Sequence, residues 1–223
     1  MSQRLWKEDN IFLHRNRTSL ADAQNLAIRK LLTRALYENN IVPGPPLPKS
    51  HPSPVLLAKL HLECASLYSS ARSLIKNLGA SKSDVHGEVS GDLRRYLAEE
   101  AAFHGALAKK WLGVDFGENG GSTKGGGAVA FMAWARKELE GLKDGGIGVV
   151  RGKADKEQRT EFKNRVALEL ETVDIFYKHY KKLNDTVRLC VHVGCKVSPI
   201  FIRYTFSLYP TRVIFNGAFQ LGG

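Results

Sequence analysis

Ser53–Leu78, SPVLLAKLHLECASLYSSARSLIKNL, decides the fold. Leu57, Leu60, Cys64, Leu67, Ala71, Leu74 and Leu78 recur at alternating steps of three and four, the spacing of one helix face. Leu56, Leu60, Tyr68 and Ile75 widen that stripe beyond a coiled-coil seam. Pro54 suits the first turn, where its missing N–H costs nothing, Ser53 is a good N-cap, and Gly79 is a C-terminal stop. So broad an apolar face has to be covered by other helices, which places this segment in the middle of a helical domain.

Outward from it, the same reasoning predicts four more helices. One spans about 21–38, with Ser19 and Asp22 as a capping pair, a face of Leu20, Ala23, Ala27, Leu31 and Ala35, and Ile28, Leu32 and Leu36 beside it. Others span about 92–112 (Leu93, Leu97, Ala101, His104, Ala108, Trp111), 128–142 (Phe131, Met132, Ala135, Leu139) and 156–183 (Phe162, Val166, Leu170, Val173, Tyr177, Tyr180). Residues 1–18 mix charge and bulk without a clear period. No strand is expected before Thr186, so the expectation is an all-α array of antiparallel hairpins.

The connections are distinctive. Six of the eight prolines fall in 39–54, NNIVPGPPLPKSHPSP, an extended strap that also offers Pro45-Pro46-Leu47-Pro48 as a polyproline ligand. The loop Val114–Gly127 contains GENGGSTKGGG, with six glycines in eleven residues. It does not fit a phosphate-binding loop, because Lys124 precedes its glycines and no strand leads in; it reads as a flexible hairpin loop. Gly146-Ile147-Gly148 fails the dinucleotide pattern for the same want of a strand.

The 223 residues carry a net charge of +11, which suggests an acidic partner: nucleic acid, an anionic membrane or an acidic protein segment. Three cysteines without an apolar leader point to a reducing compartment, and no apolar run reaches membrane-spanning length. From Thr186 to Gly223 the chain has no Asp or Glu and no helical period. That tail reads either as a small β-rich extension or, in the preferred reading, as a translated intron or shifted frame, because Val187-Arg188 can be encoded by a splice-donor sequence.

No catalytic constellation emerges. Cys190, His192 and Cys195 lack the paired spacing of a zinc site. Cys64 reads as a small buried hydrophobe and His104 as a core histidine. Glu99, Glu100, Glu169 and Glu171 read as solvated helix flanks. Lys153, Lys156, Arg159, Lys163, Arg165, Lys178, Lys181 and Lys182 give the last helix a basic face, suited to water, to anionic lipid or to an acidic partner. Nucleic acid is not expected, because the aromatics of this helix lie on its apolar stripe rather than among the bases. The residues alone describe a binding or scaffold protein with no cofactor.

Four segments, in order, resemble the Bro-one domain of Alix and its relatives. They are Leu20-Ala21-Asp22-Ala23-Gln24; Leu57-Ala58-Lys59-Leu60 with Ala65, Tyr68 and Ala71; Ala128-Val129-Ala130-Phe131; and Tyr180-Lys181-Lys182-Leu183-Asn184-Asp185. Within that family Lys110–Asp115, the Pro-Gly-Pro-Pro-Leu-Pro-Lys strap and Phe176–Tyr180 narrow the resemblance to fungal members of ambient-pH signalling. The match covers about 19–187, which implies a partial Bro-one domain over 1–187, C-terminal in the whole, and an unassigned tail over 188–223. It implies tetratricopeptide-like hairpins in a boomerang shape. It also implies an adaptor, not an enzyme, that is cytoplasmic and peripheral to endosomal or plasma membrane. Its partner would be the C-terminal helix of the ESCRT-III filament subunit, docked on a patch at Leu56, Leu60 and Ala27, with Ile28 beside them. Ala27 replaces an aromatic anchor, and Arg188 stands at the Alix phosphotyrosine position, so that function does not carry over. A generic helical scaffold for another peptide and a basic nucleic-acid module are the alternatives.

Overall fold

The computed structural model describes residues 2–39, 44–79, 91–121, 124–144 and 153–192. They form five helices and no strand: α1 (Ser2–Asn39), α2 (Pro54–Gly79), α3 (Gly91–Glu118), α4 (Gly125–Asp144) and α5 (Lys153–His192). The fold is all-α, as the periodicity predicts. Contacts divide the chain into a unit Met1–Thr186 and a unit Val187–Gly223; the latter contributes only the end of α5 to the described residues.

Side-chain pairs give the directions. Gln24 bonds the Leu60 carbonyl while Asp22 accepts from Tyr68, so α1 and α2 run antiparallel. Tyr68 lies against Tyr96 and His61 against His104, which sets α2 antiparallel to α3. Lys109 pairs with Glu138 and Phe116 stacks edgewise on Phe131, so α3 and α4 are antiparallel too. Glu100 meets Arg165, Lys110 meets Glu169 and Glu118 meets Tyr180, which lays α5 along α3 in the same direction. Helix α3 is thus the centre, touched by α2, α4 and α5.

The helix boundaries differ from the periodic expectation in instructive ways. Helix α1 starts near residue 2, so Ser19 and Asp22 lie within it and cap nothing. Its core face is Ala21 and Ile28, with Leu32 packed against them, whereas Leu20, Ala27 and Leu31 are exposed. Helix α3 continues through Gly113, which is a point of close approach and not a stop: a Cβ there would sit 3.1 Å from the Met132 side chain. A Cβ at Gly117 would collide with the Tyr180 ring, and one at Gly127 would come within 2.7 Å of Phe116. Most of the expected glycine loop is therefore helix. The chain reverses around Gly121, whose φ of 62° favours glycine. Helix α5 runs to His192, so 186–192 is helical despite lacking an apolar period. Cys195, the Gly146–Gly148 segment and the rest of the tail fall outside the described residues.

The proline strap crosses the far half of α3. The Leu47 N–H donates to Glu118, which also accepts from Tyr180, and the His51 ring lies 5.3 Å from that of Trp111. The His51 N–H bonds the Pro48 carbonyl in a turn, and the Ser53 carbonyl accepts the Leu57 N–H as α2 begins. Pro54 occupies the first turn as expected.

Two glycine substitutions separate close approach from helix propensity. Gly117→Ala forces the Tyr180 ring aside and is expected to lower stability by about 1–3 kcal/mol. Gly105→Ala, where a methyl group meets open space, is expected to raise it by roughly 0.5–1 kcal/mol. Urea unfolding of the two variants checks both signs.

Candidate partner-docking site

The four residues that the resemblance marks for docking do not share one environment. Leu56 is 48% exposed, Ala27 is exposed, and Leu60 is half-buried and packed against the core. Ile28 is fully buried and serves the core instead. Gln24 reaches from α1 to the Leu60 carbonyl at 3.2 Å and brings two helix edges together. Residues 20, 27 and 31 lie in line with Gln24 on α1, and residues 56 and 67 in line with Leu60 on α2. Leu20 is 56% and Leu31 42% exposed, so the flank is apolar and open on both helices. Sequence periodicity detects this line of leucines but assigns it to the core, because an apolar stripe alone does not say which neighbour covers it.

A polar cluster with a buried centre lies on the core face of α2, and the sequence gives little sign of it. Asp22 accepts the hydroxyl protons of Tyr68 at 2.6 Å and Tyr96 at 2.8 Å, joining α1, α2 and α3 through one carboxylate. Burial, then the bond to Asp22, pushes both phenols well above their ordinary pKa. Glu100 is buried rather than solvated and takes a bidentate bond from Arg165, 3.0 Å to each oxygen. The Arg165 guanidinium also lies over the Phe103 ring, so this half-buried base is tied to Glu100 and Phe103 at the edge of the core. Lys110, equally buried, is held at 2.6 Å by Glu169. Among the other bases expected on the last helix, Lys163, Lys178, Lys181 and Lys182 are exposed, while the side chains of Lys153 and Lys156 are outside the described set.

His61 and His104 meet Nδ1 to Nδ1 at 2.8 Å inside this cluster. A shared bond between two Nδ1 atoms holds one proton and requires the accepting ring to be neutral; burial keeps both rings neutral near pH 7. Burial is the main reason that His104 is held down at about 4 and His61 well below the ordinary histidine range; Arg165 adds to the first effect, His104 and Lys110 to the second. Cys64 is buried as expected, and burial pushes its thiol up to about 11. Among the described residues no cluster of metal-ligating side chains occurs, and no helix is long and apolar enough to cross a membrane.

The histidine pair sets a pH dependence. Both pKa values are lowered on folding, so the unfolded chain binds more protons between about pH 6.5 and pH 4, and stability present above pH 6.5 is lost as pH falls through that window. Asp22 on α1, Tyr68 on α2, Glu100 and Lys110 on α3 and Arg165 on α5 face the pair and do not reverse this sign. The expected loss is on the order of 3 kcal/mol for His104. Thermal unfolding between pH 7.5 and 4 should decline more steeply for the native chain than for a folded His61→Phe/His104→Phe double variant.

The chain is similar to the pH-response regulator protein palC of Cryptococcus neoformans var. neoformans serotype D (strain B-3501A), with 43% identity over 200 residues. The match covers 75% of this chain and 41% of that protein, so the chain spans about two fifths of its relative's length. No family model and no solved structure matches the chain. With helices as the regular secondary structure of its described residues, and similar to this regulator across three quarters of its sequence, the chain is a PalC-like protein.

Proposed function

We propose that this chain acts in pH-response signalling as an adaptor that docks the C-terminal amphipathic helix of an ESCRT-III filament subunit. The observation that carries the docking is the open flank of α1 and α2, where Leu56 and Ala27 are exposed and Leu60 is half-buried beside Leu20 and Leu31. An amphipathic helix binds through a few apolar anchors, and this flank offers exposed apolar side chains from both helices. The likeness to palC supports the pathway, and the ordered Bro-one motifs support the partner. Ile28, fully buried, offers the docked helix no surface of its own. The chain is assigned no reaction of its own.

The exposed Lys163, Lys178, Lys181 and Lys182 on α5 support a second contact, with an anionic membrane surface, which would hold the adaptor peripheral to endosomal or plasma membrane. Co-sedimentation of the full chain with phosphatidylserine vesicles at low salt should fall when the four lysines are changed to glutamate. Retention of binding by that variant would remove the membrane contact from the reading.

The docking flank is tested by titrating a fluorescent ESCRT-III C-terminal helix into the full chain. Saturable binding is expected, weakened at least about tenfold by Leu56→Asp, which places a carboxylate at an apolar contact without touching the core. Leu62→Asp, at another exposed leucine off this line, should bind as the native chain does. Unchanged affinity in a folded Leu56→Asp variant would reject the flank, and absence of saturable binding to the folded native chain would favour a scaffold for another peptide.

A further inference from the structure

Between α1 and α5, over a floor from α2 and α3, lies a cavity of about 150 Å³ that the docking flank does not include. Ile28 and Leu32 of α1, Phe103, Leu107 and Trp111 of α3, and Leu168 of α5 make its walls apolar. Apolar protein cavities of this size accept one benzene-sized ring. His61 joins Asn25, Arg29, Arg165 and Glu169 in the polar part of the lining. It is 3% exposed, its Nδ1 is occupied by His104, and its Nε2 is buried with no hydrogen-bond partner.

The protonation of that nitrogen follows from the neighbours of the histidine pair. His104 Nε2 is also without a hydrogen-bond partner, but it lies 3.8 Å from an oxygen of Glu100, whose carboxylate is paired with Arg165. If His104 donated its Nδ1 proton to His61, its Nε2 lone pair would face that carboxylate. If His61 donates instead, His104 carries an Nε2–H directed toward negative charge. The second arrangement is favoured, and it leaves His61 Nε2 as a bare acceptor. A buried acceptor without a donor is costly, so the lining rewards a guest that brings an O–H and an apolar ring together. At the mouth, Leu168 is 65% exposed and Arg29 is an exposed cation, which offers an apolar landing and a positive charge to the chain carrying the guest.

We propose that this cavity is a binding site for a tyrosine side chain of a partner polypeptide, with the phenol ring between Ile28, Phe103 and Leu107 and its hydroxyl donating to His61 Nε2. A phenylalanine fills the same volume and leaves the acceptor unpaired. The selection therefore turns on one hydroxyl, and a site built to bond a hydroxyl rejects the analogue lacking it far more strongly than an apolar pocket rejects an added one.

The test is a titration of the full chain with N-acetyl-tyrosine amide and N-acetyl-phenylalanine amide, with p-cresol as the free phenol, followed by histidine and indole NMR signals. The tyrosine amide should bind saturably and about tenfold or more tighter than the phenylalanine amide, shifting the His61 Nε2 and Trp111 signals. His61→Phe keeps a ring in the lining and removes the acceptor, so it should reduce that preference to less than about twofold. The Nε2 shift in the native chain decides the matter even where this variant does not fold. Equal binding of the two amides, or no saturable binding of either, would overturn the proposal. Binding of p-cresol without the tyrosine amide would also overturn it, because the cavity would then admit a free phenol and not a peptide side chain.

Discussion

The structure depends on the pairing of charges against a helix enclosed by its neighbours. Helix α3 buries residues on nearly every face, among them Glu100 and Lys110, and each finds its counter-charge on α5. Removing one partner of a buried ion pair costs far more than the pair contributes, so the two bridges fix where α5 lies more than they add to stability. Glu100 binds Arg165 through both oxygens and Lys110 binds Glu169 two to three turns further on. Two such points define both the position and the register of α5 along α3. The shared acceptor Asp22 does the same for α1 against α2 and α3, with neutral donors in place of cations.

These pairings also explain the empty places. Ordering α1 and α5 by polar contacts to the centre leaves them apart where Ile28 and Leu168 line a common cavity. The histidine pair closes the inner end of that space. Its geometry uses the two Nδ1 atoms for one shared proton, so both Nε2 atoms of the pair are buried without a hydrogen-bond partner. At the open edge of α2, Gln24 satisfies a main-chain carbonyl and leaves neighbouring leucines in solvent. The same hairpin thus shows two kinds of apolar surface: one a slot with a polar base, the other an open flank.

Much of this fold is legible from residues alone. The Leu57–Ile75 pattern gives α2 and its buried face directly, because one side of that helix is covered and the other is wet. Helix α3 is harder, since a helix enclosed on several sides has little contrast between faces, and Glu100 and Lys110 then look like ordinary surface charges. The glycines at 113, 117 and 127 mislead for a related reason. Local preference marks glycine as a stop or a loop, whereas here the need for space beside Met132, Tyr180 and Phe116 overrides it. Of the residues that the resemblance marks, Leu56 and Ala27 are exposed, Leu60 is half-buried and Ile28 is core, a difference that a wide apolar stripe does not reveal. The cavity is not legible, because His61 falls on the buried face of α2 and its partner stands 43 residues away.

The proline strap has a mechanical meaning. It links the end of α1 to the start of α2 and is fastened midway to α3, through Leu47 at Glu118 and His51 beside Trp111. A pull on α1 away from the domain is therefore not carried by the α1–α2 interface alone. Tension entering through the strap is shared with α3, whose Glu118 is in turn clamped by Tyr180 of α5. The strap works as a guy line, and a partner tugging on the α1 edge would load the centre of the molecule rather than peel away its outermost helix.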